Sequence, residues 1–401
     1  MGTSLKYAQA VDAAPALVFR AFTNATALRE WVCETATVDP RPGGRLFLAW
    51  NSGYTVHGEY TKLVPEKEIQ FTWEGRNDPA PTRIRVFISA LDNGMTTFTL
   101  EHLDLQEDAE WASAFKEISY GWSKGIRNLV SILEDGPDLR IVNRPMLGVT
   151  FGTFDAKSAA ELKIPVSEGL RVESVVDGMG AQAAGLHRDD VIISMNGKPV
   201  YDYPTILAGL QDQQAGDKVE ITFYRGAEKK KIKMDLSRRP MPEVPMTAAG
   251  LSEAVRQNKA DDMLQLSKLL ANVPDKQATF SPRPDEWCVK EILAHLIHDE
   301  RDNHVFIQDL VFSQERVADG VNNNLTARIQ ATVSAYPTLD SLLAELKACQ
   351  AETVSLIATL PEEFIAMKGS FWRMGYQLLE NSTHARGHAV QISAALGTAR
   401  R

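Results

Sequence analysis

The stretch Trp287-Cys288-Val289-Lys290-Glu291-Ile292-Leu293-Ala294-His295-Leu296, taken with His384-Ala385-Arg386-Gly387-His388, decides the reading of the C-terminal third of the chain. Two histidines four residues apart on a helix lie one turn apart on the same face. That spacing lets His384 and His388 reach one divalent ion, and His295 on a facing helix completes a three-imidazole set with open positions. The same residues also suit a plainer role as polar helix positions or hydrogen-bonded core histidines. Four helices can be read around them. The first covers about 248–272, with apolar positions at Leu251, Val255, Met263, Leu266, Leu269, Leu270 and Val273. The second covers about 285–313 with Asp285 as its cap, and the third about 339–360, capped by Thr338 or Asp340 and stopped before Pro361. The fourth covers about 375–396 and stops at Gly397. Their length and spacing predict an all-α four-helix bundle over 246–401.

Upstream, the run Arg239-Pro240-Met241-Pro242-Glu243-Val244-Pro245 favours an extended spacer, and a second break runs from Gly136-Pro137-Asp138 to Arg144-Pro145. These breaks predict three domains, 1–138, 145–238 and 246–401, with no internal repeat. The middle one reads as mainly β. Strands begin at Met146-Leu147-Gly148-Val149, at Gly169 and at Asp189, the last ending in the turn Asn196-Gly197. A short helical turn ends at Gly185, a helix covers about 203–211, and strands follow at 218–224 and 229–236.

The first segment reads as α+β. A strand at 5–11 is followed by two short helices, the first opened by Pro15. Strand-like runs come at 45–50, 56–63, 68–73, 84–90 and 96–103, and a long helix closes the segment at about 108–134. Its stripe of Trp111, Phe115, Ile118, Trp122, Ile126, Leu129 and Leu133 lies on one face. His57 and His102 fall in strand-like runs and read as structural or exposed. No nucleophile–base pair at a specific spacing stands here, which favours a binding pocket over an active site.

The chain has 401 residues, too many for one core, with 44% hydrophobic and 24% charged residues, as folded proteins have. A net charge of −9 disfavours broad nucleic-acid binding and anionic membranes as partners. Cys33, Cys288 and Cys349 are scattered without CxxC spacing. Residues 1–30 hold no uninterrupted apolar core, and no run of about twenty apolar residues follows. The expected home is the cytoplasm.

Three resemblances sharpen these readings. The Trp287–Leu296 and 384–392 stretches resemble the DinB-like superfamily, which includes metal-dependent thiol S-transferases and maleylpyruvate isomerase. The resemblance implies a divalent metal (Zn, Ni or Fe) held by His295, His384 and His388, with His298 able to replace or supplement His295. It assigns no catalytic side chain. Leu147-Gly148-Val149, Ala183-Ala184-Gly185-Leu186, Asp190-Val191-Ile192 and Asn196-Gly197 resemble a PDZ domain of the HtrA-type proteases. This implies capture of a peptide or protein C-terminus, with the backbone N–H groups of Leu147, Gly148 and Val149 on the carboxylate and Ile206, Leu207 and Leu210 shaping the side-chain pocket. No Gly-Asn-Ser-Gly-Gly stretch accompanies it, so the match gives no protease.

Ala14-Pro15-Ala16-Leu17-Val18-Phe19, Leu28-Arg29-Glu30-Trp31, Gly43-Gly44-Arg45-Leu46 and Gly58-Glu59-Tyr60 resemble the START-like helix-grip superfamily, in particular activators of the Hsp90 ATPase. The implied cavity takes a small apolar ligand, with Trp73, Phe87, Phe98, Trp111, Phe115 and Trp122 as wall candidates that serve equally as core. Two functions follow. One is a metal-dependent thiol transferase or isomerase with a ligand pocket and a peptide-binding module. The other is a non-catalytic, ligand-sensing adaptor that recruits client C-termini.

Overall fold

The computed structural model describes residues 3–210, 213–283, 286–316, 325–380 and 382–399, with the backbone alone for 382–386 and 398–399. It divides into two compact units. One joins Met1–Asp138 to Pro242–Arg401, and the other is Leu139–Met241. The first and last segments of the sequence therefore share a single unit.

The N-terminal part runs β1 (Thr3–Val11), α1 (Pro15–Thr23), α2 (Ala25–Trp31), β2 (Thr35–Val38), β3 (Arg45–Ala49), β4 (Thr55–Val64), β5 (Glu68–Gly75), β6 (Thr82–Ala90), β7 (Thr96–Leu105) and α3 (Ala112–Glu134). Its strands form an antiparallel sheet in the order β1-β7-β6-β5-β4-β3-β2. Only β2, a four-residue strand with too few positions to show alternation, was absent from the sequence reading. The closing helix starts later than expected because Asp108 Oδ1 accepts the N–H groups of Glu110 and Trp111, which makes a turn first. Ile118, Trp122, Ile126, Leu129 and Leu133 of α3 are buried toward the sheet. Each such side chain contributes on the order of 1.5–3 kcal/mol.

The middle unit contains α4 (Leu139–Val142), β8 (Pro145–Met146), β9 (Val149–Gly152), α5 (Ala156–Glu161), β10 (Leu170–Val175), α6 (Gly180–Ala183), β11 (Val191–Met195), β12 (Lys198–Pro199), α7 (Tyr203–Leu210), β13 (Lys218–Arg225), β14 (Glu228–Asp235) and β15 (Ser237–Arg238). The main sheet runs β14-β13-β11-β10-β9, so β9 is an edge. The buried Asp190 carboxylate accepts the His187 N–H and two N–H groups of Arg225, whose Nη2 also donates to the Gly185 carbonyl. This braces the 183–186 turn against β13.

The C-terminal part is helical: α8 (Ala248–Leu270), α9 (Asp275–Ala278), α10 (Val289–Val311), α11 (Thr326–Ala335), α12 (Leu339–Ala358), α13 (Glu362–Ile365), α14 (Lys368–Glu380) and α15 (Ser382–Ala399). Three expectations change. The helix expected over 375–396 starts earlier, at Lys368, and is described as α14 and α15 on either side of residue 381, which lies outside the described residues. Gly375 sits inside α14 because it packs closely: a Cβ there would meet Val244 Cγ1 at 2.5 Å. The helix expected from Asp285 begins at Val289 with Cys288 as its cap, and Glu291 reaches back to the Cys288 N–H at 2.8 Å; Asp285 lies outside the described residues. The third change is α11, which the sequence reading did not anticipate. Thr338 caps α12 by accepting the Ser341 N–H.

A buried polar network joins the two parts of the larger unit. Ser370 Oγ–H donates to the Glu30 carboxylate, and Arg20 reaches Glu30, Ser313 Oγ and Ser370 Oγ. Beside them Glu315 takes both Arg29, at 3.1 Å, and Arg373, at 2.7 and 2.5 Å. Lys368 Nζ caps the end of α3 on the Glu134 carbonyl at 2.6 Å.

Candidate functional site

The register of α10 sets His295 two turns after its cap, where its ring lies 5.0 Å from that of Trp287. From α15 the His388 ring comes to 4.8 Å of the His295 ring, edge to face. Gln391, one turn on, places its Oε1 at 2.9 Å from His388 Nδ1. A carbonyl oxygen only accepts, so Nδ1 carries the proton and Nε2 holds the lone pair. The His384 side chain lies outside the described residues; its backbone is on α15, one turn before His388. Among the described residues no group of three His, Cys, Asp or Glu side chains is gathered for a metal. The two imidazoles that are described suit a borderline metal in donor type.

His295 also opens onto a cleft of about 310 Å³, whose lining is His295, His298, Asp299, Asp302, Asn303, Phe306 and Gln377. Six of these come from one stripe of α10, at steps of three and four. His298 turns its Nε2 to α11, 3.2 Å from the Arg328 carbonyl and 3.0 Å from Thr332 Oγ1. Burial lowers its pKa. Glu300 accepts from Lys259 and from Thr353 Oγ1, while His304 Nε2 lies 2.8 Å from that same hydroxyl. Arg328 clamps Asp302 through two bonds of 3.0 and 2.8 Å. Burial raises the Cys288 thiol pKa. Gln391 and Asn303 were missed in the sequence. Only the three-residue offset of Gln391 from His388 could have marked it.

In the middle unit, Gly148 has φ +81°, and a Cβ there would approach Met179 Cβ to 2.4 Å, so no other residue fits without strain. The Gly148 carbonyl takes the Val176 N–H and the Leu147 carbonyl takes the Ala181 N–H, which holds this loop at the head of edge strand β9. Val149 and Leu210 are partly buried against the core, Leu207 is half-buried and Ile206 is buried. Across from β9, the ring of Tyr203 on α7 meets Phe151 at 6.3 Å.

In the N-terminal part, Trp73, Phe98, Trp111 and Trp122 are buried and Phe115 packs at their margin. Phe87 is a correction. The alternation on β6 turns Thr82, Ile84, Val86 and Ile88 inward, so Phe87 is on the other face, with the Arg85 guanidinium 4.9 Å over its ring. The interior also holds His102, which is fully buried. Its Nδ1 accepts from Trp122 Nε1 at 2.9 Å, and its Nε2 lies 2.7 Å from Thr82 Oγ1. Burial pushes its pKa down to about 3, with Asp104 opposing weakly.

Three family models match the chain in series. Residues 12–134 match the "Activator of Hsp90 ATPase homolog 1-like protein" family, 145–236 the PDZ domain and 264–392 the DinB superfamily. The chain is thus a fusion of a helix-grip domain of the Hsp90-activator type, a PDZ domain and a helical DinB-like domain. Among curated proteins it is similar to the periplasmic serine endoprotease DegP of Salmonella typhimurium, 26% identical over 159 residues, which is 39% of this chain. The chain spans 33% of the length of that relative. Among solved structures it is similar to an HSP90 activator from Plasmodium falciparum (23% identity, 32% of this chain and 95% of that one, TM-score 0.29). It is also similar to the HtrA3 PDZ domain bound to a phage-derived ligand (22% identity, 23% and 86%, TM-score 0.21).

Proposed function

We propose that this protein is a metal-dependent enzyme of the thiol S-transferase or isomerase type. Its reaction belongs to the DinB-like domain, served by a PDZ domain that captures a peptide C-terminus and a helix-grip domain that takes a small apolar ligand. The observation that carries this reading is the approach of His295 and His388 to 4.8 Å at the head of a polar cleft. The family matched by residues 264–392 typically binds metal, which adds support. His295, His384 and His388 are the residues proposed to hold the ion, and neutral imidazoles suit Zn, Ni or Fe. When bound, such an ion supplies a Lewis-acid charge that lowers the pKa of a thiol or water beside it. The side chains of the chain do the rest. Gln391 keeps the proton of His388 on Nδ1, Trp287 packs at a tilt against His295 and limits its ring rotation, and the cleft along α10 seats the substrate. The cytoplasm is the proposed home, supported by three cysteines that are all buried and in no disulfide.

The test is metal analysis of the purified chain, with turnover of an electrophile measured against glutathione, mycothiol and bacillithiol. Stoichiometric metal in the wild type, its loss in His388→Ala and activity that tracks metal content are expected. A wild type that purifies without metal and takes up none on titration overturns the reading. The adaptor function would then replace it, on the support of the edge strand β9 and its facing helix α7.

A further inference from the structure

Strand β9 has β10 on one side and, among the described residues, no strand on the other. Its register pairs Val149 with Val175, Thr150 with Ser174, Phe151 with Val172 and Gly152 with Arg171, so Glu173 is an extra residue in β10. The bulge puts Glu173 and Ser174 on the same outward face. Both are exposed, whereas Val172 before them is buried and Val175 after them packs on the core. On β9 the faces alternate. Phe151 turns to α7, where its ring meets that of Tyr203, so Thr150 and Gly152 turn outward.

The two outward positions differ in chemistry. Thr150 Oγ1 and Ser174 Oγ lie 2.6 Å apart and satisfy each other as a neutral pair. Gly152 has no side chain, and the Glu173 side chain runs past the space where one would be. A Cβ at 152 would lie 3.4 Å from Glu173 Cβ and 3.8 Å from its Oε2. The carboxylate therefore lies over β9, the last strand of the sheet. Arg171, the basic residue of β10, is paired with Asp189 at 2.7 Å. Glu173 itself has no ion pair among the described residues.

A peptide that adds to β9 with its carboxylate at the Leu147–Val149 loop runs antiparallel to the strand. Its last residue then faces Val149, and the three before it face Thr150, Phe151 and Gly152 in turn. Residues opposite each other across a ladder point to the same face, with Cβ atoms about 4.5–5.5 Å apart. The last residue and the second before it therefore point to the side of α7. The third before the last points outward beside Gly152, where a long basic side chain reaches the Glu173 carboxylate. We infer that Glu173 is a specificity-determining residue that selects C-termini carrying Lys or Arg at the third position before the last. This rests on reading β9 and α7 as the seat of a peptide C-terminus. The next-to-last residue meets the hydroxyl pair of Thr150 and Ser174 and is not selected by charge.

The experiment measures the Kd of labelled peptides Gly-Ser-Gly-X-Leu-Ser-Val on the full chain by fluorescence anisotropy at low salt, with X as Lys, Gln or Glu. Lys is expected to bind about three-fold tighter than Gln and about ten-fold tighter than Glu, the size of one partly exposed charge pair and of its reversal. High salt should remove most of the difference. Glu173→Gln should bring the Lys and Gln peptides within about 1.5-fold of each other, and Glu173→Lys should reverse the order. Gly-Ser-Gly-Gln-Leu-Lys-Val, with the lysine moved next to the end, should bind within about two-fold of the Gln peptide. That control separates a local contact from general attraction to a chain of net charge −9. A Lys peptide no tighter than the Gln peptide, a preference that survives Glu173→Gln, an order that Glu173→Lys does not reverse, or the same gain from the moved lysine overturns the inference and leaves C-terminal capture standing. Failure of every free-acid peptide to bind, or equal binding after amidation, defeats the capture itself and the inference with it.

Discussion

Glu315→Ala is expected to cost the larger unit about 3–5 kcal/mol, the range for breaking a buried ion pair from one side. The carboxylate accepts two bonds from Arg373, at 2.7 and 2.5 Å, and stands 3.1 Å from Arg29 Nη1. Charge-assisted bonds contribute about 1.5–3 kcal/mol each, but the larger effect lies in what alanine leaves behind. The Glu315 side chain is 8% exposed, and those of Arg29 and Arg373 are 12% and 24%. Two guanidiniums would face each other with their shared anion gone. Burial already pulls the Arg29 pKa down, Glu315 works against that, and Arg373 adds to it. The assay is urea unfolding followed by tryptophan fluorescence. All seven tryptophans lie in the larger unit, so the middle unit is silent. Adding Arg373→Met to Glu315→Ala should recover part of the loss, because it removes one of the stranded charges. A loss below about 1 kcal/mol for Glu315→Ala, the size of an exposed pair, would refute the argument that this network welds the helix-grip part to the bundle.

Three other outcomes are expected. His102 has a folded pKa of about 3 against an ordinary 6.5, so between those values the unfolded chain binds a proton that the folded one refuses. Stability should then fall by about 1.4 kcal/mol per pH unit as pH drops below 6.5, a slope that His102→Gln should lack when the two unfolding curves are compared. Gly148→Ala forces a Cβ against Met179 at positive φ and should weaken binding of a free C-terminal peptide at least ten-fold by calorimetry, as should amidating the peptide itself. Gln391→Leu frees the Nδ1 proton of His388 and should lower zinc affinity by about 10–100-fold. His304→Ala, whose ring is tied to Thr353, should leave that affinity within two-fold by competition titration.

What the chain declared on its own was local. The stripe from Trp111 to Leu133 announces one buried face because steps of three and four are a property of the helix itself, and α3 buries that face. Thr338 caps α12 and Gly185 ends α6 for the same reason, since the geometry that requires them spans only a few residues. The prolines of 240–245 mark the junction between the units, which falls between Met241 and Pro242. The parity of Phe87 was also readable, because Ile84, Val86 and Ile88 set the inward face of β6.

Tertiary structure decided everything that needs a partner from far along the chain. His298 resembles His295 in sequence, and only the position of α11 turns its Nε2 to Arg328 and away from the pair. No periodicity could reveal that Arg29, Glu315 and Arg373 meet and place the first and last segments in one unit. The meeting of His388 with His295 depends on how α15 packs on α10, and the cleft beside His295 exists only between assembled helices. The physical reason is the same in each case. A residue's face follows from the few neighbours that share its element, whereas a polar atom's partner depends on where other elements come to rest, and packing alone determines that.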